Sequence, residues 1–110
     1  MKVKELSAMA GFQVLSEGCP DRDISKIFCC DLLSIAMSKA PADSVWVTVM
    51  GNRNTLAVAA LTDVACIVLA EGTALDEGTV EKAKEEGVAV LSTELPVFDA
   101  ALLIHQAQTA

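Results

Sequence analysis

The stretch VWVTVMGNRNTLAVAALTDVACIVLAEGTALDEGTVEKAKEEGVAVLST, residues 45–93, decides the fold. Val45-Trp46-Val47-Thr48-Val49 is a β-branched run of strand type. The polar loop Met50-Gly51-Asn52-Arg53-Asn54 follows, and Thr55–Asp63 reads as a helix that is apolar nearly all round. Cys66–Leu69 is a second strand, followed by a loop from Ala70 to Leu75 and a helix over Asp76–Glu86. Val88–Leu91 is a third strand, and Ser92-Thr93 opens a last helix from Glu94 to about Gln106. Strands alternating with helices indicate parallel βα units. The strands are continuously apolar rather than alternating, as expected when helices cover both faces of a sheet.

Local chemistry supports these boundaries. Asp76 suits an N-cap, because its carboxylate can accept from orphan backbone N–H groups of the first turn, and Glu77 adds negative charge where the helix dipole is positive. Gly87 suits the left-handed position after the last turn. Thr93 can cap the final helix, with Pro96 in its first turn. Leu95, Phe98, Leu102 and His105 recur at spacings of three, four and three, which predicts one buried face.

Outward from this core, residues 1–44 continue the pattern less regularly. Val3–Ala10 reads as a short helix with Val3, Leu6 and Met9 on one side, and Phe12–Leu15 as a short strand. Gly18-Cys19-Pro20-Asp21 is a turn. Ile24–Cys30 reads as a strand and Asp31–Ala40 as a helix with Leu33, Ala36, Met37 and Ala40 facing inward, ended by Pro41-Ala42-Asp43-Ser44. There is no internal linker, so residues 1–110 are expected to form one domain: a three-layer α/β/α sandwich with a mostly parallel sheet.

Composition narrows the function. Apolar residues make up 53% of the chain, above the usual share of about 45–50%, and mean hydropathy is +0.46. The excess predicts strands buried on both faces and a subunit interface, most simply that of a homodimer. Eight Lys and Arg face fifteen Asp and Glu, a net charge of −7. With no basic stripe to neutralise phosphates, nucleic acid and anionic membranes are not expected partners. The most apolar stretch, Leu56–Ala70, carries Asp63 and falls short of the ~20 residues a membrane span needs. The first residues lack a signal peptide's apolar core, so the expected location is cytoplasmic, with four reduced cysteines.

Catalytic motifs are missing. The nearest string to a phosphate-binding P-loop, Gly72-Thr73-Ala74-Leu75-Asp76-Glu77-Gly78-Thr79, has five residues between its glycines, no lysine and two acids. No Gly-X-Gly-X-X-Gly occurs. His105, the single histidine, lies on the apolar stripe and reads as a packing residue or a helix C-terminal cation. Cys19, Cys29, Cys30 and Cys66 contain no Cys-X-X-Cys pair. Cys29, Cys30 and Cys66 read as small apolar core residues, and Cys19, beside Pro20, as the one exposed enough to react. No metal, cofactor or catalytic residue is expected.

The positive signal is at one sheet edge. In open α/β sheets, ligands bind outside the carboxyl ends of the strands. Parallel strands would bring together Cys30-Asp31, Met50–Asn54, Ala70–Thr73 and Ser92-Thr93-Glu94. Helix N-termini near Asn54 and Thr93 offer N–H groups that favour anions, and Arg53 can pair with a phosphate or carboxylate. The candidate ligand-binding residues are Asp31, Asn52, Arg53, Asn54, Thr93 and Glu94. Asn, Gly, Ser and Thr are also what turns and caps require, and Asp31, Glu71 and Glu94 would repel a polyanion unless a metal intervened.

With these residues in view, the chain resembles the DRTGG domain family from about Lys2 to Gln106. The likeness is carried by Asp21-Arg22-Asp23-Ile24, Cys30-Asp31-Leu32-Leu33-Ser34, Val45–Val49, Asn54, Ala57-Val58-Ala59, Leu61-Thr62-Asp63 and Ala65–Leu69. Asp76-Glu77, Glu81-Lys82-Ala83, Glu85-Glu86-Gly87 and Leu91-Ser92-Thr93 complete it. The Asp-Arg-Thr-Gly-Gly string itself is absent, and Lys26 and Cys30 stand where glycines are expected. The resemblance implies an α/β fold like the N-terminal domains of HPr kinase and the Mur ligases. It also implies an accessory, regulatory or oligomerising module of the kind that accompanies phosphotransacetylases and the CBS domains of regulatory pyrophosphatases. Asp31, Asn54 and Thr93 are the site positions carried over.

The expected function is a non-catalytic sensor that binds a small anionic metabolite or nucleotide at the strand ends. Asn52 and Asn54 would hydrogen-bond the ligand, Arg53 would supply charge, and amides near Thr93 would complete the cradle. The alternatives are an interaction module docking a kinase or enzyme partner, and an enzyme that needs an unseen cofactor.

Overall fold

In a computed structural model, which describes residues 1–109, the chain runs α1 (Val3–Ser7), β1 (Gln13–Ser16), β2 (Ile27–Cys29), α2 (Leu33–Lys39), β3 (Val45–Thr48), α3 (Arg53–Thr62), β4 (Cys66–Leu69), α4 (Glu77–Glu86), β5 (Val90–Ser92) and α5 (Val97–Thr109). The five strands form one sheet in the order β1-β5-β4-β3-β2. β2, β3, β4 and β5 are parallel, and β1 joins the β5 edge antiparallel, with Gln13 opposite Ser92.

β3 and β4 are buried at every position, which is why their sequences do not alternate. Side chains on opposite sides of the pleat feed two cores. Val45, Val47, Cys66, Val68 and Leu91 pack with Val3 and Leu6 of α1 and Ala100 and Ile104 of α5. Trp46, Ile67, Leu69 and Val90 pack with Ala36 of α2, Leu56, Val58 and Ala59 of α3, and Ala83 of α4. The result is the expected three-layer α/β/α sandwich.

The caps fall on polar residues. Asn52 accepts from the Thr55 N–H at 3.1 Å and Asp76 from the Thr79 N–H at 2.7 Å. α4 ends on Gly87 in the left-handed region, and α3 ends the same way on Asp63, at φ 59°. At the opposite edge of the sheet, Arg22 binds the carboxylates of Asp43 at 2.8 Å and Asp63 at 3.0 Å, and also the Asp63 carbonyl. Arg22 thus braces two loops that both turn through left-handed aspartates.

Several local expectations are corrected. α5 begins at Val97, not Glu94, because residues 93–95 are committed elsewhere. The Thr93 hydroxyl accepts from Leu95 N–H, the Leu95 carbonyl accepts from Glu71 N–H, and the helix starts where Pro96 accepts from Ala100 N–H. Pro96 therefore flanks the helix, and Thr93 is not its cap. The buried face of α5 is also different. Ala100 and Ile104 are buried, whereas Phe98 is 70% and Leu102 40% exposed and His105 faces solvent. α5 is apolar nearly all round, so spacing alone picks out two stripes. The stripe built on small alanines is the one seated on the sheet. Met37 is likewise exposed, since α2 buries Ala36 instead. Cys29 is exposed rather than core, because β2 is a three-residue edge strand with a neighbour on one side only. α1 and β2 are shorter than expected, and β1 ends at Ser16.

Candidate functional site

The strand-end loops gather along one edge of the sheet, and its two halves differ. In the β2–β3 half, the Asp31 carboxylate accepts from the Thr48 hydroxyl at 2.8 Å and the Val49 N–H at 2.9 Å. The Thr48 oxygen accepts from Met50 N–H at 3.2 Å. The Trp46 indole N–H reaches the Cys30 carbonyl at 2.9 Å. The Thr55 hydroxyl donates to the Met50 carbonyl at 2.7 Å, while Asn52 is occupied as the α3 cap. Asp31 and Asn52 therefore hold their own loops.

Arg53 and Asn54, in the exposed first turn of α3, make no side-chain hydrogen bond among the described residues. The Arg53 guanidinium extends toward the start of α4, where a Cβ at Gly78 would lie 3.3 Å from it. The Asp76 carboxyl is held below the usual carboxylate range, first by the Thr79 N–H and to a smaller extent by the charge of Arg53.

The β4–β5 half is open. After β4 the chain turns through two successive left-handed residues, Glu71 at φ 59° and Gly72 at φ 67°. Gly72 N–H donates to the Thr93 carbonyl and Thr93 N–H to the Leu69 carbonyl, both at 2.9 Å. This lacing holds the 71–75 loop away from the start of β1. A cleft of about 540 Å³ lies between them, lined by Phe12, Gln13, Leu15, Thr73, Leu75 and Ser92, together with Thr93, Glu94 and the backbone of Gly11 and Gly72. Its volume falls in the range of roughly 300–1,000 Å³ typical of small-molecule sites. Gln13, Thr73, Ser92 and Glu94 make no side-chain hydrogen bond among the described residues. The Glu94 carboxylate lies over the Cα of Gly72, in space that any side chain at 72 would take.

Of the six residues expected at the site, Thr93 and Glu94 line this cleft, and Asp31, Asn52, Arg53 and Asn54 do not. Of the amides expected near Thr93, those of Thr93 and Leu95 are bonded within the protein, and the one charged side chain in the cleft is the Glu94 carboxylate. Gln13 and Leu15 carried no signal. Only the antiparallel docking of β1 on β5 brings residue 13 beside residue 92. Ser92 and Thr73 could have been included, since both lie in strand-end segments.

The thiols are dispersed. Burial pushes Cys66 up to about 12, and partial burial, followed by the charge of Asp31, raises Cys29. Cys19 is exposed. Among the described residues, no cluster of three or more His, Cys, Asp or Glu side chains is placed to hold a metal, and no helix is long and apolar enough to cross a membrane.

None of the curated proteins matches the sequence. Among solved structures, the chain is similar to the crystal structure of the CBS and DRTGG domains of the regulatory region of Clostridium perfringens pyrophosphatase, complexed with its activator diadenosine tetraphosphate. The TM-score is 0.73 at 12% identity, over 96% of this chain and 46% of that one. This likeness shows a shared fold, and the chain spans about half the length of that protein. The model of the DRTGG domain matches residues 6–107, nearly the whole sequence, and the chain belongs to the DRTGG domain family.

Proposed function

We propose that this domain is a non-catalytic regulatory module that binds a small metabolite or nucleotide in the cleft between β1, β5 and the 71–75 loop. The observation that carries this is the cleft itself, in which four polar side chains keep their hydrogen-bonding capacity unspent around the apolar surface of Phe12, Leu15 and Leu75. The kinship with a pyrophosphatase regulatory region that was crystallised with a nucleotide activator adds support. The lining offers an amide, hydroxyls and one carboxylate, but no nucleophile paired with a base, which favours binding over chemistry. An anionic part of the ligand would be met by Arg53, the one cation in the strand-end loops. A ligand seated here would tie the edge strand to the 71–75 loop and α4, which is how occupancy would reach a partner.

Thermal unfolding against nucleotides, sugar phosphates, acyl phosphates and divalent metals tests the proposal. A ligand at a hundred times its dissociation constant adds about 2.7 kcal/mol, and in a domain this size each kcal/mol moves the midpoint by about 4–8 °C. Ala74→Trp, at an exposed cleft position outside the helices, should fill the site and abolish the shift. No shift across the panel, or a shift that Ala74→Trp leaves intact, would reject this site.

An oligomerisation module is the second candidate, favoured by the exposed stripe of Phe98 and Leu102 on α5. If that stripe joins two copies, Phe98→Glu with Leu102→Glu should give a monomer by sedimentation. An unchanged sedimentation coefficient would remove this candidate.

A further inference from the structure

We infer that the cleft reads the ribose of a nucleoside through Glu94 and leaves any phosphate outside. This rests on the proposal that the cleft is a ligand site, and it adds which part of the ligand enters.

The charge of the cleft selects against a buried phosphate. Glu94 is the one charged side chain in the lining, and no lysine or arginine accompanies it. Four amides around the cleft are bonded within the protein: Thr93 N–H on Leu69, Leu95 N–H on the Thr93 hydroxyl, Gly72 N–H on Thr93 and Thr73 N–H on Ala70. An anion here would face the carboxylate of Glu94 with no cation in the lining to compensate it.

A group that donates hydrogen bonds meets the opposite situation. Glu94 has both carboxylate oxygens free of protein partners among the described residues, so it can accept from two adjacent hydroxyls. Acidic side chains at the strand ends of other α/β folds bind ribose hydroxyls in this way. Buried Thr93 accepts from Leu95 N–H but gives its own proton to no partner among the described residues. Phe12, Leu15 and Leu75 supply the apolar surface a base requires, and Gln13 and Ser92 supply donors and acceptors for its edge. Gly72 contributes by having no side chain. Its bare Cα leaves room for the Glu94 carboxylate.

The test is calorimetric titration of the full chain with adenosine, guanosine, cytidine and uridine, with their 2′-deoxy counterparts, and with inorganic phosphate, ribose 5-phosphate and acetyl phosphate. It is repeated on Glu94→Gln and Ala74→Trp. At least one ribonucleoside should bind, with its 2′-deoxy form about tenfold weaker, the loss expected for one hydrogen bond to a charged group. Glu94→Gln should erase that difference, and Ala74→Trp should abolish binding. Equal affinity for ribo and deoxy forms, or discrimination that survives Glu94→Gln, would overturn the inference. Binding of phosphate or acetyl phosphate alone, blocked by Ala74→Trp, would overturn it while leaving the cleft a ligand site. No binding by any compound would reject the cleft and the inference together.

Discussion

The two halves of the strand-end edge are made from similar residues and behave differently. At β2–β3, an aspartate, two threonines and an asparagine bond to one another's loops, and little capacity remains. At β4–β5, a glutamate, two threonines, a serine and a glutamine surround a cleft, and four of these five side chains stay free. The difference lies in what each loop must do. The β3–α3 loop has to start a helix directly, so Asn52 becomes its cap and Asp31 its brace. The β4–α4 loop is anchored instead by backbone bonds to residues 93–95, which leaves nearby side chains unemployed. Polar residues at a strand end therefore stay free only when the backbone holds the loop without them.

If the closed half carries stability and the open half carries binding, substitutions should separate along that line. The largest effect is expected from Trp46→Ala, which empties a fully buried position beneath the closed half and should cost about 3–5 kcal/mol in urea unfolding. Next, Thr48→Val removes the hydroxyl that donates to Asp31 and accepts from Met50 and should cost about 1–3 kcal/mol, while leaving any ligand-induced thermal shift intact. In the open half, Gln13→Ala with Ser92→Ala should change stability by no more than about 0.5 kcal/mol but reduce that thermal shift. A marked loss of stability in this pair would show that the open half is structural too.

The smallest expected effect concerns Asp76, at the start of α4 beside Arg53. Its folded pKa lies below the unfolded value, so the stabilisation is present above the ordinary carboxylate pKa of about 4 and is lost as pH falls through the folded value. Asp76→Asn keeps a capping oxygen but cannot titrate. The gap between the two melting temperatures should narrow as pH falls below about 4, and a constant gap would show that the charge of Asp76 contributes nothing.

Much of this was legible from the chain. The unbroken apolar runs at Val45–Val49 and Cys66–Leu69 identified central strands, because only strands covered on both faces can dispense with alternation. Asp76 and Gly87 marked helix ends through the bonds and backbone geometry those positions require. Where every face of an element is apolar, that logic stops: α5 offered two stripes, and the alanine one packed because small residues let the helix approach the sheet. The edge strands were hardest to read, since a strand with one neighbour needs only weak patterning.

By itself, the sequence determined the class of fold and the central strand and helix order. These follow from periodicity and capping, which are local. Tertiary structure decided which side of α5 is buried, that Asp31 and Asn52 are spent, and that the cleft opens beside Gln13. The last of these depends on β1 crossing from the start of the chain to pair with β5, a contact that joins residues nearly eighty positions apart. No local preference encodes that pairing, because its energy exists only once both partners are in place.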